Sequence, residues 1–318
     1  LMLLPALIIP ALLYYKKLSE TVETVLAQDM YKMTQLINTN IETYINDAEK
    51  ITSAPYYSKE MQETLKNLKY KVGVKRSEAE EKLFNTVDVL LGIRKDIVGI
   101  YIFDDTNNKY YKTSVGDITP LYYFVEQPWF RKIKELNGER LIIPTHKADY
   151  FISQYPKYVF SVASSIISQE NNEQIGVICV DMNLEVIRNI VSKSLDDKSN
   201  EFYIVDNESN VIYNSHETDL GNKFSKEWMP AIDSLDKREG QLIKNIDDRK
   251  KLITYFYSEN IGWWYITVND LTTLMTPNMV IFKNVIVVLT LSLLIVMIMF
   301  SVFVSNKITR PIKKLQTA

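Results

Sequence analysis

One cysteine, two histidines and nine glycines in 318 residues leave little room for several kinds of protein. Cys179 cannot form an internal disulfide, and it stands in the apolar strand pattern Ile175–Asp181, where a small hydrophobe is the usual occupant. The fold must therefore be held by its core, which a chain of this size can supply without staples. With His146 and His216 as the only histidines, no metal site is expected and no cofactor is implied. Glycine makes up about 3% of the chain against a usual ~7%, so phosphate-cradling loops have little raw material. Neither a Gly-x4-Gly-Lys-Ser/Thr loop nor a Gly-x-Ser-x-Gly elbow occurs.

Charge is missing from two stretches. None of the 37 basic and 39 acidic residues falls in Leu1–Tyr15 or in Val285–Val304. Four cations, Lys307, Arg310, Lys313 and Lys314, follow the second stretch, and setting them aside takes the net charge from −2 to −6. The rest of the chain has no basic stripe, so no nucleic acid partner is expected. Val285–Val304 is about 30 Å long as a helix, the thickness of a bilayer's hydrocarbon layer, and it predicts a spanning segment. The four cations behind it place the C-terminus in the cytoplasm. Leu1–Tyr15 is too short to span alone and reads as the end of a first membrane helix. A cleaved signal peptide is the alternative, but the apolar run passes straight into Lys16-Lys17 without a small-residue cleavage site. The expectation is a multi-pass membrane protein with residues 16–284 outside the cytoplasm.

Between these ends the pattern changes twice. From Leu18 through Met30, Ile37, Ile41 and Tyr44 to Ile51, apolar residues recur mostly at steps of three and four. This predicts one amphipathic helix of about 35 residues stopping at Ala54-Pro55. A second helical stretch, Ser58–Lys95, is interrupted near Gly73. From Ile97 short β-rich runs take over, in two sets separated by a helix at 183–194. The first comprises 97–103, 109–114, 141–143, 158–168 and 174–182, with a short helix at 129–136. The second comprises 202–206, 211–214, 242–246, 251–257 and 263–269.

The sets look like copies. Tyr101-Ile102-Phe103-Asp104, a polar turn and Tyr110–Ser114 parallel Tyr203-Ile204-Val205-Asp206, a polar turn and Val211–Ser215. Val177–Asp181 before one helix parallels Tyr265–Asp270 before another. The expected fold class is α+β, a long stalk helix carrying two tandem PAS-like antiparallel-sheet modules between transmembrane helices. The boundaries read as 1–15 for the first membrane helix, 16–95 for the stalk, 96–195 and 196–278 for the modules, 279–304 for the second membrane helix and 305–318 for a cytoplasmic linker.

This order of parts resembles the double Cache sensor domains of bacterial transmembrane receptors. Gln127-Pro128-Trp129-Phe130 is similar to that family's Arg-x-Trp-Tyr element, and Gly176-Val177-Ile178-Cys179-Val180-Asp181 to its Gly-Val-x-x-x-Asp strand. Ile142–Phe151 followed by Tyr158–Ala163 resembles the YesM-type sensor histidine kinases. Ser305–Leu315, with Pro311 and the spaced Ile308, Ile312 and Leu315, resembles the opening of a HAMP linker.

The resemblance implies a sensor rather than an enzyme for this chain. It also implies a small extracellular ligand in the membrane-distal module, membrane lipid around the helices, a homodimer, and a cytoplasmic response regulator served by a kinase module. Trp129 and Phe130 would form an aromatic wall, and Asp181 would accept hydrogen bonds or a positive group. Gln127 stands where amino-acid-binding members carry the arginine that clamps a carboxylate, so a hydroxyl-rich, sugar-like or other small polar ligand fits at least as well as an α-amino acid. Tyr122, Tyr123, Tyr150 and Tyr158 offer flat faces for it, and Asp149, His146 and Lys147 polar partners. Two alternatives stand: the sensor region of a methyl-accepting chemotaxis receptor, and a membrane-anchored hydrolase working with two carboxylates.

Overall fold

The computed structural model describes residues 3–70, 73–195, 200–216, 218–225, 237–304 and 307. Its first helix, α1 (Leu3–Tyr57), is 55 residues long, about 80 Å at 1.5 Å per residue, and runs without interruption from the apolar N-terminal stretch into the stalk. It passes the expected stop. Pro55 lies in the last turn, where its missing N–H removes a single bond, and Ser58 N still reaches Ala54 O at 3.0 Å. The buried stripe Met30, Ile37, Ile41, Ala48 and Ile51 follows the period read from the sequence. The second helical stretch is two helices, α2 (Lys59–Tyr70) and α3 (Val74–Gly92). Gly73 precedes α3 with φ 68°, a left-handed conformation that favours glycine.

Two sheets follow. The first holds β1 (Ile97–Asp104), β2 (Lys109–Thr113), β3 (Arg140–Lys147), β4 (Tyr158–Ile167) and β5 (Gln174–Asn183). A 3-10 turn (Phe124–Glu126) and α4 (Pro128–Glu135) lie between β2 and β3, and α5 (Glu185–Ser194) follows β5. The second holds β6 (Asn200–Asp206), β7 (Val211–Asn214), β8 (Glu239–Ile246), β9 (Arg249–Ser258) and β10 (Trp263–Asp270), after which α6 (Leu271–Val304) begins. The strand orders are β2-β1-β5-β4-β3 and β7-β6-β10-β9-β8, the same path traced twice. The duplication extends to the hairpin turns. Asp104 accepts Asn108 N and Nδ2, each at 2.8 Å, and Asp206 accepts Asn210 N and Nδ2, each at 2.7 Å.

The repeat differs from its sequence reading by one residue. Tyr265 faces the core shared with the helices, whereas Val177 faces away from it. The structural equivalence between the last strands is therefore shifted by one from Val177/Tyr265. Strand β3 is also longer than the expected 141–143, because its register with β4 slips between Ile143 and His146 and pairing resumes beyond Pro144.

Strands β1, β4 and β5 have two buried sides. Ile100, Ile102, Phe160, Val162, Ile178 and Val180 pack with Ile37, Ile41, Leu83 and Val87 of the helices, and Phe202, Ile204, Trp263 and Tyr265 of the second sheet join the same core. On the opposite face Tyr101, Phe103, Phe124, Phe130, Tyr150, Val159 and Cys179 form a separate core. Gly176 permits β1 and β5 to approach, since a Cβ there would lie 2.6 Å from Phe103 O. Both cores belong to a compact unit made of residues 30–244 and 253–268. The described parts of 1–29, 245–252 and 269–318 form a second unit, held internally by the Lys250–Glu23 and Arg249–Asp270 ion pairs at 2.7 and 3.2 Å.

Within α6, Asn284–Phe303 is long and apolar enough to cross a membrane, and none of it is buried in the protein. A core helix is thereby excluded for this segment, since Leu289, Ile295 and Phe300 are each more than half exposed. The linker residues Ile308, Pro311, Ile312 and Leu315 lie outside the described residues.

Candidate functional site

Asp181 is an acid where the pattern of its strand places an apolar residue. On β5 it follows Val177 and Cys179 onto the outer face of the first sheet, and it is 2% exposed. Its cross-strand neighbours are Gly99 on β1 and Ser161 on β4. The Ser161 hydroxyl donates to Oδ1 at 2.6 Å, and the Tyr150 hydroxyl donates to Oδ2 at 2.5 Å. Burial pushes the Asp181 carboxyl above the usual carboxylate range. A nearby His146 and then the two hydroxyl donors oppose that shift. The Tyr101 ring lies over Gly99, and its buried hydroxyl faces the same carboxylate without a hydrogen bond of acceptable geometry.

Aromatic rings roof the carboxylate. Tyr150 meets Tyr101 at 6.3 Å, Phe124 at 5.2 Å and Tyr122 at 4.9 Å between ring centroids. Tyr101 stands on β1, and the two segments that carry Tyr122–Phe124 and Tyr150 are tied together by Thr119 N to Tyr150 O at 2.7 Å and Ile152 N to Asp117 O at 3.0 Å. Burial, with Asp149 and Asp181 adding to it, pushes the Tyr122 hydroxyl up to about 12. The chemistry available is that of a desolvated anion behind aromatic walls. Such a site favours a cation, above all an ammonium group that can both pair with the carboxylate and lie against a ring face.

A sequence model of the Cache domain matches residues 18–277. The chain belongs to the Cache-domain family. Among solved structures, this Cache chain is similar to the ligand-binding domain of Mlp24 with asparagine (16% identity, 81% of this chain and 97% of that one, TM-score 0.58). It is also similar to the ligand-binding domains of the Pseudomonas fluorescens chemoreceptor CtaA with L-isoleucine (11%, 81% and 97%, 0.53) and of the Campylobacter jejuni chemoreceptor Tlp3 with L-norvaline (11%, 80% and 94%, 0.57). At these identities the likeness is one of fold. No curated protein matches the chain.

The expected site residues of the Cache module are only partly assembled. Asp181, Tyr150 and Tyr122 come together, and His146, half-buried with Nδ1 against Pro144 O at 2.9 Å, stands at their edge. Phe130 is buried against Phe103 at 5.0 Å as part of the outer core. Trp129 packs on Phe103, whose partner across β5 is Val177, four residues along the strand from Asp181. It lines a different space, a cleft of about 480 Å³ between the modules, with Arg140, Asp206 and Trp263. Gln127 caps the start of α4 and reaches Tyr123 O at 3.5 Å rather than the carboxylate.

Three expectations are corrected. Tyr158 packs with the helix-side core, because the alternation of β4 puts it on the face opposite Ser161. Tyr123 is 58% exposed, and Asp149 is exposed, its influence reaching Tyr122 but no hydrogen bond to the cluster being made. Ser161, Tyr101 and Gly99 were not singled out in the sequence. Ser161 alone has a signal there, a polar residue between Val159 and Ala163 on the outward face of its strand.

Proposed function

We propose that this chain is the ligand-sensing region of a transmembrane receptor and that the first Cache module captures a small extracellular molecule bearing an ammonium group. The single observation that carries the reading is Asp181, an acid fully enclosed in an aromatic core with two hydroxyl donors and, among the described residues, no lysine or arginine against it. A hydroxyl-rich ligand would add a third neutral donor and leave the charge unbalanced, so an amine is favoured over the sugar-like ligand read from the sequence. The amino acids named with the structures of similar fold agree with that chemistry. Ligand entry requires the Tyr122 and Tyr150 loops to part. The new contact then biases the module against the stalk, and a typical coupling of about 1–3 kcal/mol changes a state ratio roughly 5- to 150-fold.

The test is thermal unfolding of the protein in detergent with L-amino acids, simple amines and monosaccharides. Stabilisation by amino compounds that disappears in Asp181→Asn supports the reading, and stabilisation by sugars alone overturns it. The 142–163 stretch favours a dimeric sensor histidine kinase, anchored in lipid and serving a response regulator, whereas the fold relatives favour a chemoreceptor. Ligand-dependent phosphohistidine in the full-length receptor supports the first, and ligand-dependent glutamyl methylation the second.

A further inference from the structure

Four consecutive residues of β3, Leu141–Pro144, line the cleft of about 480 Å³ between the modules. Side chains of a strand alternate between its two faces, so a row of neighbours reaches one space only where that space lies along the strand's edge. β3 is the last strand of its sheet, with β4 as its neighbour. The far wall is made by the β6–β7 turn at Asp206–Glu208 and the β9–β10 turn at Asn260–Gly262. The modules are bridged at the two ends of this row. At one end Arg140 Nη2 donates to Asn260 O at 2.7 Å, and its Nη1 donates to Asn46 Oδ1 of the stalk at 2.9 Å. At the other end Thr145 Oγ1 donates to Ile212 O at 2.6 Å. Between these bonds, among the described residues, the backbone groups of Leu141, Ile142 and Ile143 have partners only in β4. In an antiparallel pair every second residue turns its N–H and C=O away from the neighbour, so part of this row points into the cleft with nothing to pair it.

We propose that this cleft is a second binding site, which takes a short peptide in extended form along the free edge of β3. Residues 140–144 of a strand span about 15 Å, so a volume of 480 Å³ corresponds to a slot about 6 Å across, a little over the roughly 4.8 Å between paired strands. At that length the slot holds about four residues. Pro144, which has no N–H, and the register slip beyond it end the row of donors and so fix one end of the peptide. Backbone bonds to β3 supply the affinity, and the half-buried Trp129 indole, held on Phe103 at 6.5 Å, gives the peptide's side chains a flat apolar surface. The Lys132–Glu208 pair at the cleft is slack at 3.9 Å and more than half exposed on both partners, so it parts at little cost. This site reads uncharged main chain rather than an ammonium group, and it stands or falls independently of the reading of Asp181.

The experiment uses the whole chain in detergent and capped tetrapeptides, acetyl-X-Thr-X-Thr-amide with X as Val, Leu, Phe or Tyr, which carry no charge and cannot pair with Asp181. Calorimetry on wild type is expected to show binding by at least one of them. Two further forms of that peptide carry N-methyl groups on its first and third nitrogens or on its second and fourth. One set of amides faces β3 and the other faces away, so one form is expected to lose affinity by about 10-fold or more and the other to stay within about 3-fold. Trp129→Ala is expected to weaken the parent peptide by about 5-fold or more, and Asp181→Asn to leave it within about 2-fold. Equal effects of the two methylated forms overturn the strand pairing. Binding that survives Trp129→Ala and is lost in Asp181→Asn assigns the peptide to the other site and overturns the proposal, as does failure of every capped peptide to bind wild type.

Discussion

The Tyr150 hydroxyl meets Oδ2 of Asp181 at 2.5 Å in a space closed to water, while Ser161 holds the other oxygen at 2.6 Å. The anion is therefore stabilised by these hydroxyl dipoles together with the nearby His146. Tyr150→Phe removes one of them without changing the ring, and the loss of a hydrogen bond to a buried charged group is expected to destabilise the unliganded protein by about 1–3 kcal/mol. An unchanged melting temperature would contradict that bond.

Asp181 also makes stability depend on pH in a direction opposite to most aspartates. Its folded pKa lies above 3.8, so the folded state holds the proton more tightly than the unfolded chain. Its contribution is fully present below 3.8 and is lost as pH rises through the folded value. Asp181→Asn should accordingly melt higher than wild type near neutral pH, with the difference shrinking towards pH 4, while amino compounds no longer stabilise it. A variant less stable than wild type at pH 7 would reverse this account.

The two strand glycines of the first sheet should differ in cost. A Cβ on Gly99 would lie 2.6 Å from the Tyr101 hydroxyl, the end of a ring that can swing, whereas on Gly176 it would lie 2.6 Å from a backbone oxygen. Overpacking of this kind costs about 1–3 kcal/mol, and Gly176→Ala is expected at the upper end because a paired strand cannot yield. Adding Tyr101→Phe to Gly99→Ala should recover part of the loss. Denaturant midpoints measure all three, and equal costs for the two glycines would count against the packing described.

The modules are joined by a buried bond from Thr145 Oγ1 to Ile212 O at 2.6 Å. Thr145→Val keeps the shape and leaves that carbonyl unpaired, so the protein is expected to lose about 1–3 kcal/mol. Hydrogen exchange should quicken around Val211–Asn214 more than around Lys109–Thr113, the matching strand of the first module.

For the apolar helix, Leu293→Arg places a charge near the centre of Asn284–Phe303. Insertion scales put that at about 2.5–3.5 kcal/mol, enough to shift the protein from alkali-resistant to alkali-extractable in membrane fractions. Full resistance in the variant would argue that the segment does not cross the bilayer.

The elements were legible in the sequence because their boundaries are local. Asp104 and Asp206 write the same turn chemistry, and the alternation of helical and strand periods survives translation into the structure. Facing was not legible. Strand β1 is buried along its whole length, and β4 and β5 nearly so, so alternation cannot tell the helix side from the outer side. This is why the sequence groups Tyr158 with Asp181 although it points the other way, and sets Trp129 beside an acid that lies four residues further along β5. Long-range register, Gly99 opposite Asp181 opposite Ser161, decides those questions and leaves no trace in neighbouring residues.

The shifted equivalence of the last strands gives their two closing acids separate careers. Asp270, at the end of β10, accepts Thr273 N at 3.1 Å in the opening turn of α6 and is met by Arg249, so its charge is already neutralised within the protein. Asp181 has no such companion. From one blueprint, the second module has turned its acid into a rivet for the apolar helix, and the first has sunk its acid among aromatic rings where only hydroxyl groups reach it.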